Sequence, residues 1–425
     1  MAGLLRPITA LLLSTAILLM GNGLNGVLLP IRALGEHFTR LEIGLVGSSY
    51  FAGLMLGCFV CPAIVARVGH IRAFAAFTAI VTVTPLGHAI ASEPAVWWVL
   101  RALNGLCFAG LFMTIEGWLN AVSSVESRGR VFAAYTMINL TVVTLGMQLT
   151  NLGQPMSFEL FSLVAMLYSL AAVPVALTRT SAPPPPSRAR LRLLWLLGVS
   201  PAAMLGSLFA GLGNAAFWAL SPLYGKAVGL SDRGIALFMT VVVLSGAASQ
   251  WPAGLLSDRL GRRPVSAAIA LAAATAALAL SVTTVKNGND IVLYGLAAVY
   301  GAMAFPAYAL CVAHANDLVH RKRAVEVSSA LLMTFSIGAI MGPLLASLLM
   351  AETSNRALFV HAAIAQVLLA LIMLLRIKRR PKLPTEHVEG YVAIPRTSPA
   401  VFDLDPRAEP TTTGAAQEAD EEAAA

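Results

Sequence analysis

Twelve apolar stretches, each about 20 residues long, occupy the chain between Pro7 and Arg376. A helix needs about that length to cross a hydrocarbon core about 30 Å thick. Inside lipid only helices and closed barrels satisfy their own backbone, and these stretches lack the alternation of barrel strands. The predicted spans are 8–31, 43–66, 72–92, 96–121, 131–151, 158–178, 195–219, 234–256, 264–285, 290–314, 325–350 and 356–376. The pattern therefore predicts an all-α membrane protein with 12 transmembrane helices.

Composition and charge agree with this interpretation. Hydrophobic residues make up 57% of the 425 residues and charged residues 12%, which excludes an ordinary soluble domain. The net charge of +8 does not indicate nucleic-acid binding, because the basic residues lie in short loops. Twenty Lys and Arg residues fall on the face that carries both termini and six on the other. The positive-inside rule therefore predicts that the N- and C-termini are cytoplasmic.

The second half of the chain repeats the first. A single offset of 192 residues aligns Gly21-Asn22 with Gly213-Asn214, Pro30 with Pro222, Ile43 with Ile235, Arg67 with Arg259, Gly69 with Gly261, and Gly146 with Gly338. Six helices per repeat give both halves the same orientation, which predicts two parallel six-helix bundles.

The predicted domains are a bundle over 1–178, a Pro- and Arg-rich cytoplasmic linker over 179–194, and a second bundle over 195–377. The linker is predicted from Ser181 to Pro186 and the arginines after it, since proline stiffens a connector. The remainder, 378–425, is polar and charged, and we expect a disordered cytoplasmic tail without a core of its own.

The loop between the eighth and ninth spans carries the strongest motif. It reads Gly254-Leu255-Leu256-Ser257-Asp258-Arg259-Leu260-Gly261-Arg262-Arg263. Each position of the G-x-L-x-D-R-x-G-R-R signature is met, and the chain over 8–376 thereby resembles the major facilitator superfamily (MFS). The first-half copy keeps Arg67 and Gly69 but has Ala66 in place of the acid. The residues from Ser249 to Gly254, together with Phe305-Pro306, are similar to the YcaD-like bacterial branch of that family, which brings no substrate with it.

The resemblance implies the MFS fold, a small-molecule substrate bound between the two halves, and a place in the cell inner membrane. It also implies that the motif closes the cytoplasmic side in the outward-facing state, and we carry this role over to Asp258 and Arg259. Within the family the fourth-helix R-x-x-x-G pattern is linked to proton coupling or substrate binding, and Arg101 and Gly105 match it.

Buried charges on the fourth span are candidates for coupling. Arg101 and Glu116 differ by about 60° in azimuth and about 22 Å along a helix, so both can face the bundle interior. In the alternative, the two side chains extend to the headgroups at opposite helix ends. If both line the cavity, Glu116 is the predicted proton carrier.

Amides and aromatic residues at mid-membrane depth supply further substrate candidates. At that depth lie Asn22 and Asn25 on the first span and Asn214 and Trp218 on the seventh. Asn104 falls near the stripe of Arg101 and Glu116, and Asn139 and Tyr308 are candidates of the same kind on the fifth and tenth spans. For the residues of the first and seventh spans, helix packing and interhelical hydrogen bonds are an equally good explanation. His314 and Asp317 are expected to form a solvated pair at the cytoplasmic end of the tenth span.

The leading hypothesis is a secondary transporter that works by alternating access and is driven by a proton or solute gradient. The alternative is a membrane receptor or sensor that kept the fold but lost transport. No phosphate-binding loop or hydrolase motif is present, so we expect neither ATP-driven nor enzymatic activity. We expect no cofactor and no metal, a monomer in the lipid bilayer, and protons as the coupling partner. The transport direction stays open.

Overall fold

A computed structural model describes residues 2–123, 125–177, 193–284, 291–319, 323–377, 391–392 and 395–404. Within these residues 12 helices are long and apolar enough to cross a membrane, which confirms the predicted fold class. They are α1 (Ala2–Gly35), α2 (Arg40–Val68), α3 (His70–Ile90), α4 (Pro94–Val122), α5 (Val125–Gln148), α6 (Phe158–Ala176), α7 (Pro201–Ala227), α8 (Asp232–Leu260), α9 (Arg262–Val282), α10 (Ile291–Asn316), α11 (Ala324–Glu352) and α12 (Ala357–Ile377).

Three of the predicted spans contain breaks. The sixth span consists of the helices Phe158–Leu170 and Ala172–Ala176, which Ala171 separates. The span α10 consists of the helices Ile291–Ala304 and Ala307–Asn316, with Pro306 at the start of the second. Proline there lacks the N–H that would continue the hydrogen-bond ladder. The seventh span was predicted from 195, but a separate short helix, Leu193–Val199, precedes Pro201. The predicted linker, apart from its last residues, lies outside the described residues.

Equivalent residues perform the same local tasks in the two halves. Thr39 and Ser231, which are 192 positions apart, cap α2 and α8 through their side-chain oxygens. The next helix begins in each half at a glycine with positive φ, Gly69 (84°) and Gly261 (98°), where a side chain would be strained.

Close helix crossings repeat in the same way. Gly146 of α5 lies against the backbone carbonyl of Met20 in α1, and Gly338 of α11 lies against that of Leu208 in α7. A methyl group at either glycine would collide with backbone, so these positions set how closely the helices pack. The two six-helix bundles are thus built alike.

The two ends of the bundle differ in the loops that they hold. The basic face is the end that holds residues 67–72, 123, 125–130 and 259–263, and the opposite face is the end that holds residues 36–39, 149–157 and 228–231.

The two halves meet near the opposite face. Gly44 and Gly47 of α2 pack against Ser347 and Pro343 of α11, leaving no room for a side chain. Arg40 donates to the carbonyl of Met350 at 2.8 Å. At the end of α5, the Gln148 amide donates to the Thr240 hydroxyl of α8 at 2.7 Å. These contacts hold the opposite-face ends of the halves together.

The C-terminal segment, defined as residues 391–392 and 395–404, corrects the sequence-based expectation for this part of the tail. Its last six residues form a short 3-10 helix, Pro399–Leu404, that packs on α4 and α11. Val401 and Phe402 are buried in the main hydrophobic core. Apolar residues within an otherwise polar tail bury their surface between the two halves, which offsets the entropy of ordering the segment.

Candidate functional site

A cavity of about 270 Å³ lies between the two halves. Both halves and the C-terminal segment supply its walls. The polar or charged lining residues are Asn22, Tyr50, Arg101, Thr136, Asn139, Asn214, Trp218, Gln250, Ser336, Arg396 and Thr397. The lining also includes three phenylalanine rings, those of Phe51, Phe112 and Phe335. Such a mostly apolar cavity with a few polar groups is typical of small-molecule sites.

Arg101 points into this cavity and does not extend to the headgroups. Its guanidinium carbon lies 4.4 Å from the centroid of the Tyr50 ring. One guanidinium nitrogen donates to Asn104 Oδ1 at 3.3 Å, and the Asn104 amide donates in turn to the Thr84 hydroxyl at 2.8 Å. The charge is therefore held by a cation–π contact and an amide rather than by a carboxylate.

The amide and aromatic candidates separate into two groups. Four of them line the cavity, namely Asn22, Asn139, Asn214 and Trp218, and their role as substrate contacts stays a prediction. Asn25 and Asn104 are fully buried within the first half, and Tyr308 is buried in the second. Asn104 supports Arg101, whereas Asn25 lies near the Tyr168 hydroxyl.

Glu116 is fully buried near the basic-face end of α4 and is not among the residues that line the cavity. Tyr135 of α5 donates a hydrogen bond to its Oε1 atom at 2.7 Å. Thr397 also donates to Oε1, and Ser398 donates to Oε2. The C-terminal segment therefore covers this carboxylate, and Arg101 and Glu116 lie in separate environments.

The G-x-L-x-D-R-x-G-R-R motif of α8 contacts the same segment. A Cβ on Gly254 would collide with the Tyr391 ring, so this ring lies directly on the glycine. The Tyr391 hydroxyl donates to Gln250, and its backbone N–H donates to Asp258 Oδ2 at 3.3 Å. Tyr391 thus covers the basic-face end of α8.

Asp258 has its charged partner in its own half. It accepts from Arg262, whose Nε also pairs with Asp317 at 2.9 Å. Arg263 donates to the imidazole of His314 at 3.3 Å. His314 and the Asp317 carboxylate are both buried, so the expectation of a solvated pair was wrong. The hydrogen bond from Arg263 and the ion pair with Arg262 stabilise them away from water. Arg259 and Arg67 are exposed.

Arg396 enters an aromatic box of the second half. Its guanidinium carbon lies 5.2 Å from the ring centroid of Phe335, 5.6 Å from that of Phe305 and 6.0 Å from that of Tyr308. Burial lowers the pKa of Arg396 to about 10, so it remains charged near neutral pH.

Sequence reasoning missed Tyr391, Arg396, Thr397 and Ser398. The usable signal was the stretch from Tyr391 to Phe402, where apolar residues and prolines interrupt a charged tail. Its contacts with Glu116 join residues about 280 positions apart, and no local pattern encodes such a pairing.

The comparisons with known proteins agree with this architecture. The model of the Major Facilitator Superfamily matches residues 11–201 and 203–409. The chain is 26% identical over 385 residues to the uncharacterized MFS-type transporter YcaD of Escherichia fergusonii, covering 90% of this chain and 99% of that protein. It is 27% identical over 384 residues to an uncharacterized MFS-type transporter of Enterobacter sp., covering 90% and 98%.

Solved structures show the same fold. The nucleoside transporter NupG superposes with a TM-score of 0.71 at 16% identity, covering 88% of this chain and 99% of that one. A D-xylose-proton symporter superposes with a TM-score of 0.65 at 15% identity, covering 89% and 98%. With twelve helices in two repeats and a family model that matches nearly the whole length, this multi-pass membrane protein belongs to the Major Facilitator Superfamily of transporters.

Proposed function

We propose that this protein is a secondary active transporter that moves a small molecule by alternating access. The observation that carries the proposal is a cavity between two similar halves whose helices touch near the opposite face. The contacts of Gly44 and Gly47 with α11 involve no covalent link and only modest polar groups, so a rocking motion can separate them. We also propose that the basic face is cytoplasmic, from the charge bias of the loops, and that the membrane is the inner membrane, from the similarity to bacterial MFS-type transporters.

We further propose that protons drive transport and that Glu116 carries them. Burying a carboxylate near one end of the bundle is costly unless partners stabilise it, and hydroxyl groups of Tyr135, Thr397 and Ser398 do so for Glu116. Two of its partners, Thr397 and Ser398, belong to the C-terminal segment, which in this proposal dissociates from the bundle. Tyr135 is part of α5 and remains bonded to Glu116. Departure of the segment exposes Glu116 to the basic face, where it can exchange a proton.

The competing candidate is a receptor that kept the fold. The C-terminal segment supports it, because residues 395–398 fill the space between the halves on the side of the basic face. In a receptor this arrangement would be permanent.

A transport assay separates the two candidates. The full-length protein is reconstituted in proteoliposomes with an imposed pH gradient and supplied with an isotope-labelled bacterial metabolite extract. We expect at least one compound to accumulate inside the wild-type proteoliposomes when the pH gradient is imposed. In Glu116→Gln, the same compound should reach only equal concentrations on the two sides of the membrane. That variant should still exchange internal for external compound. If no compound accumulates with the pH gradient imposed in either direction, the proposal of a transporter is contradicted.

A further inference from the structure

The C-terminal segment forms part of the cavity wall as well as covering Glu116. Pro395, Arg396 and Thr397 line the cavity together with residues of both halves. A segment beyond the last helix therefore supplies a charged group to the volume in which the transporter would bind its substrate.

The charges that line this cavity are unbalanced. Arg101 and Arg396 are both in the lining, and among its described residues there is no Asp or Glu. No described carboxylate lies within ion-pair distance of either guanidinium. Arg101 is compensated by the Asn104 amide oxygen and the Tyr50 ring, and Arg396 by the rings of Phe335 and Phe305. These neutral groups compensate a cation only in part.

Two such cations raise the electrostatic potential of the cavity, since the low dielectric around it screens them poorly. A carboxylate or phosphate that enters gains charge-assisted hydrogen bonds to guanidinium groups, which are stronger than neutral ones. An organic cation would instead meet two like charges.

The remaining walls define the rest of the ligand. Tyr50, Phe51, Phe112 and Trp218 provide flat apolar surface, and the amides of Asn22 and Asn139 provide neutral polar contacts. The volume of about 270 Å³ lies at the lower end of ligand pockets, which suits a small molecule.

We propose that the cavity binds a small organic anion with an apolar body, and that Arg396 of the C-terminal segment is one of its binding residues. This proposal rests on the proposed transport function, because that function makes the cavity a substrate site. The segment is then both the lid on the basic face and a specificity element.

Binding to the full-length protein in detergent tests the proposal without a gradient. The probes are benzoate, benzamide and benzylamine, which share one ring and differ in charge, and the corresponding cyclohexane carboxylate, carboxamide and methylamine. The midpoint of thermal unfolding is recorded against the concentration of each probe, since a ligand that binds the folded state raises it. We expect the carboxylates to raise the midpoint and the amides and amines to leave it unchanged.

Variants identify the group responsible. Arg396→Gln should weaken the apparent affinity for the carboxylates about tenfold or more, and Arg396→Lys should restore part of it. Arg233, exposed at the start of α8, provides the matched control, and Arg233→Gln should bind like the wild type.

Four results would overturn the proposal: no stabilisation by either carboxylate, equal stabilisation by the amides, stronger stabilisation by the amines, or carboxylate binding unaffected by Arg396→Gln. Failure of the transport function is a different result. Selective binding of anions without accumulation in proteoliposomes would reject transport and retain the anion site. Accumulation of a neutral or cationic compound that does not depend on Arg396 would retain transport and reject the anion site.

Discussion

Ser398 donates a hydrogen bond to the buried Glu116 carboxylate, although 282 residues separate the two in the chain. Thr397 donates to the other oxygen of the same carboxylate. These two bonds connect the C-terminal segment to the first half, and Tyr391 and Arg396 connect it to the second. The segment therefore bridges the two halves on the side that the opposite-face helix contacts leave uncovered.

The double variant Thr397→Val/Ser398→Ala should release the C-terminal segment. Hydrogen bonds to a charged group contribute about 1.5–3 kcal/mol each, so losing two raises the released population at least tenfold. Hydrogen exchange of residues 391–404 should accelerate accordingly. Ser281→Ala is the control, because that hydroxyl bonds only to the Leu278 carbonyl of its own helix. Unchanged exchange in a well-folded double variant would show that Glu116 does not hold the segment.

Gly254→Ala should displace Tyr391. The added methyl group would collide with the ring, and relief requires the segment to move rather than a helix. We expect faster proteolysis after Tyr391 by chymotrypsin and little change in the thermal unfolding midpoint. Gly295→Ala on α10 is the control, since nothing lies within 4 Å of its added atom. If chymotrypsin cuts the two variants equally fast, the Tyr391 ring does not lie on Gly254 in solution.

Asp258→Asn should shift the conformational balance towards a state open at the basic face. The gating role of Asp258 is a prediction from the family motif. In the structure its oxygens accept from Arg262 and from the Tyr391 backbone, so the neutral amide weakens both contacts. Labelling of a cavity cysteine from the basic face should rise severalfold. Wild-type labelling in a well-expressed variant would show that Asp258 does not keep the basic face closed.

Gly47→Leu should open the opposite face. A side chain at this position collides with Ala219 and Pro343, and overpacking of this kind costs about 1–3 kcal/mol. The halves avoid the cost by separating at that end. Labelling of a cavity cysteine from the opposite face should increase, and labelling from the basic face should fall. An increase at both faces would indicate general loosening instead.

The fold was predictable because the sequence itself carries the features that determine it. Span length is encoded within a few tens of residues, and the 192-residue repeat, which aligns Gly69 with Gly261, follows from comparing the two halves position by position. The helix faces of Arg101, Asn22 and Trp218 followed in the same way, since an interior-facing stripe is a property of one helix.

The C-terminal segment was not predictable by this route. Its composition resembles a disordered tail, and only docking between the halves gives its apolar residues a place to bury. The exclusion of Glu116 from the cavity has the same origin, because the group that covers it comes from the other end of the chain. Pairings of this kind depend on the assembled bundle and not on any residue pattern.

Alternating access is the central claim, and Gly26 allows it to be measured. This residue lines the cavity, and nothing lies within 4 Å of an added Cβ. Gly26→Cys is placed in a background that lacks Cys58, Cys61, Cys107 and Cys311, reconstituted in proteoliposomes, and labelled with a membrane-impermeant maleimide from one face at a time. The account predicts labelling from both faces, with Gly47→Leu favouring the opposite face and Thr397→Val/Ser398→Ala favouring the basic face. Labelling from a single face in all three backgrounds would contradict it.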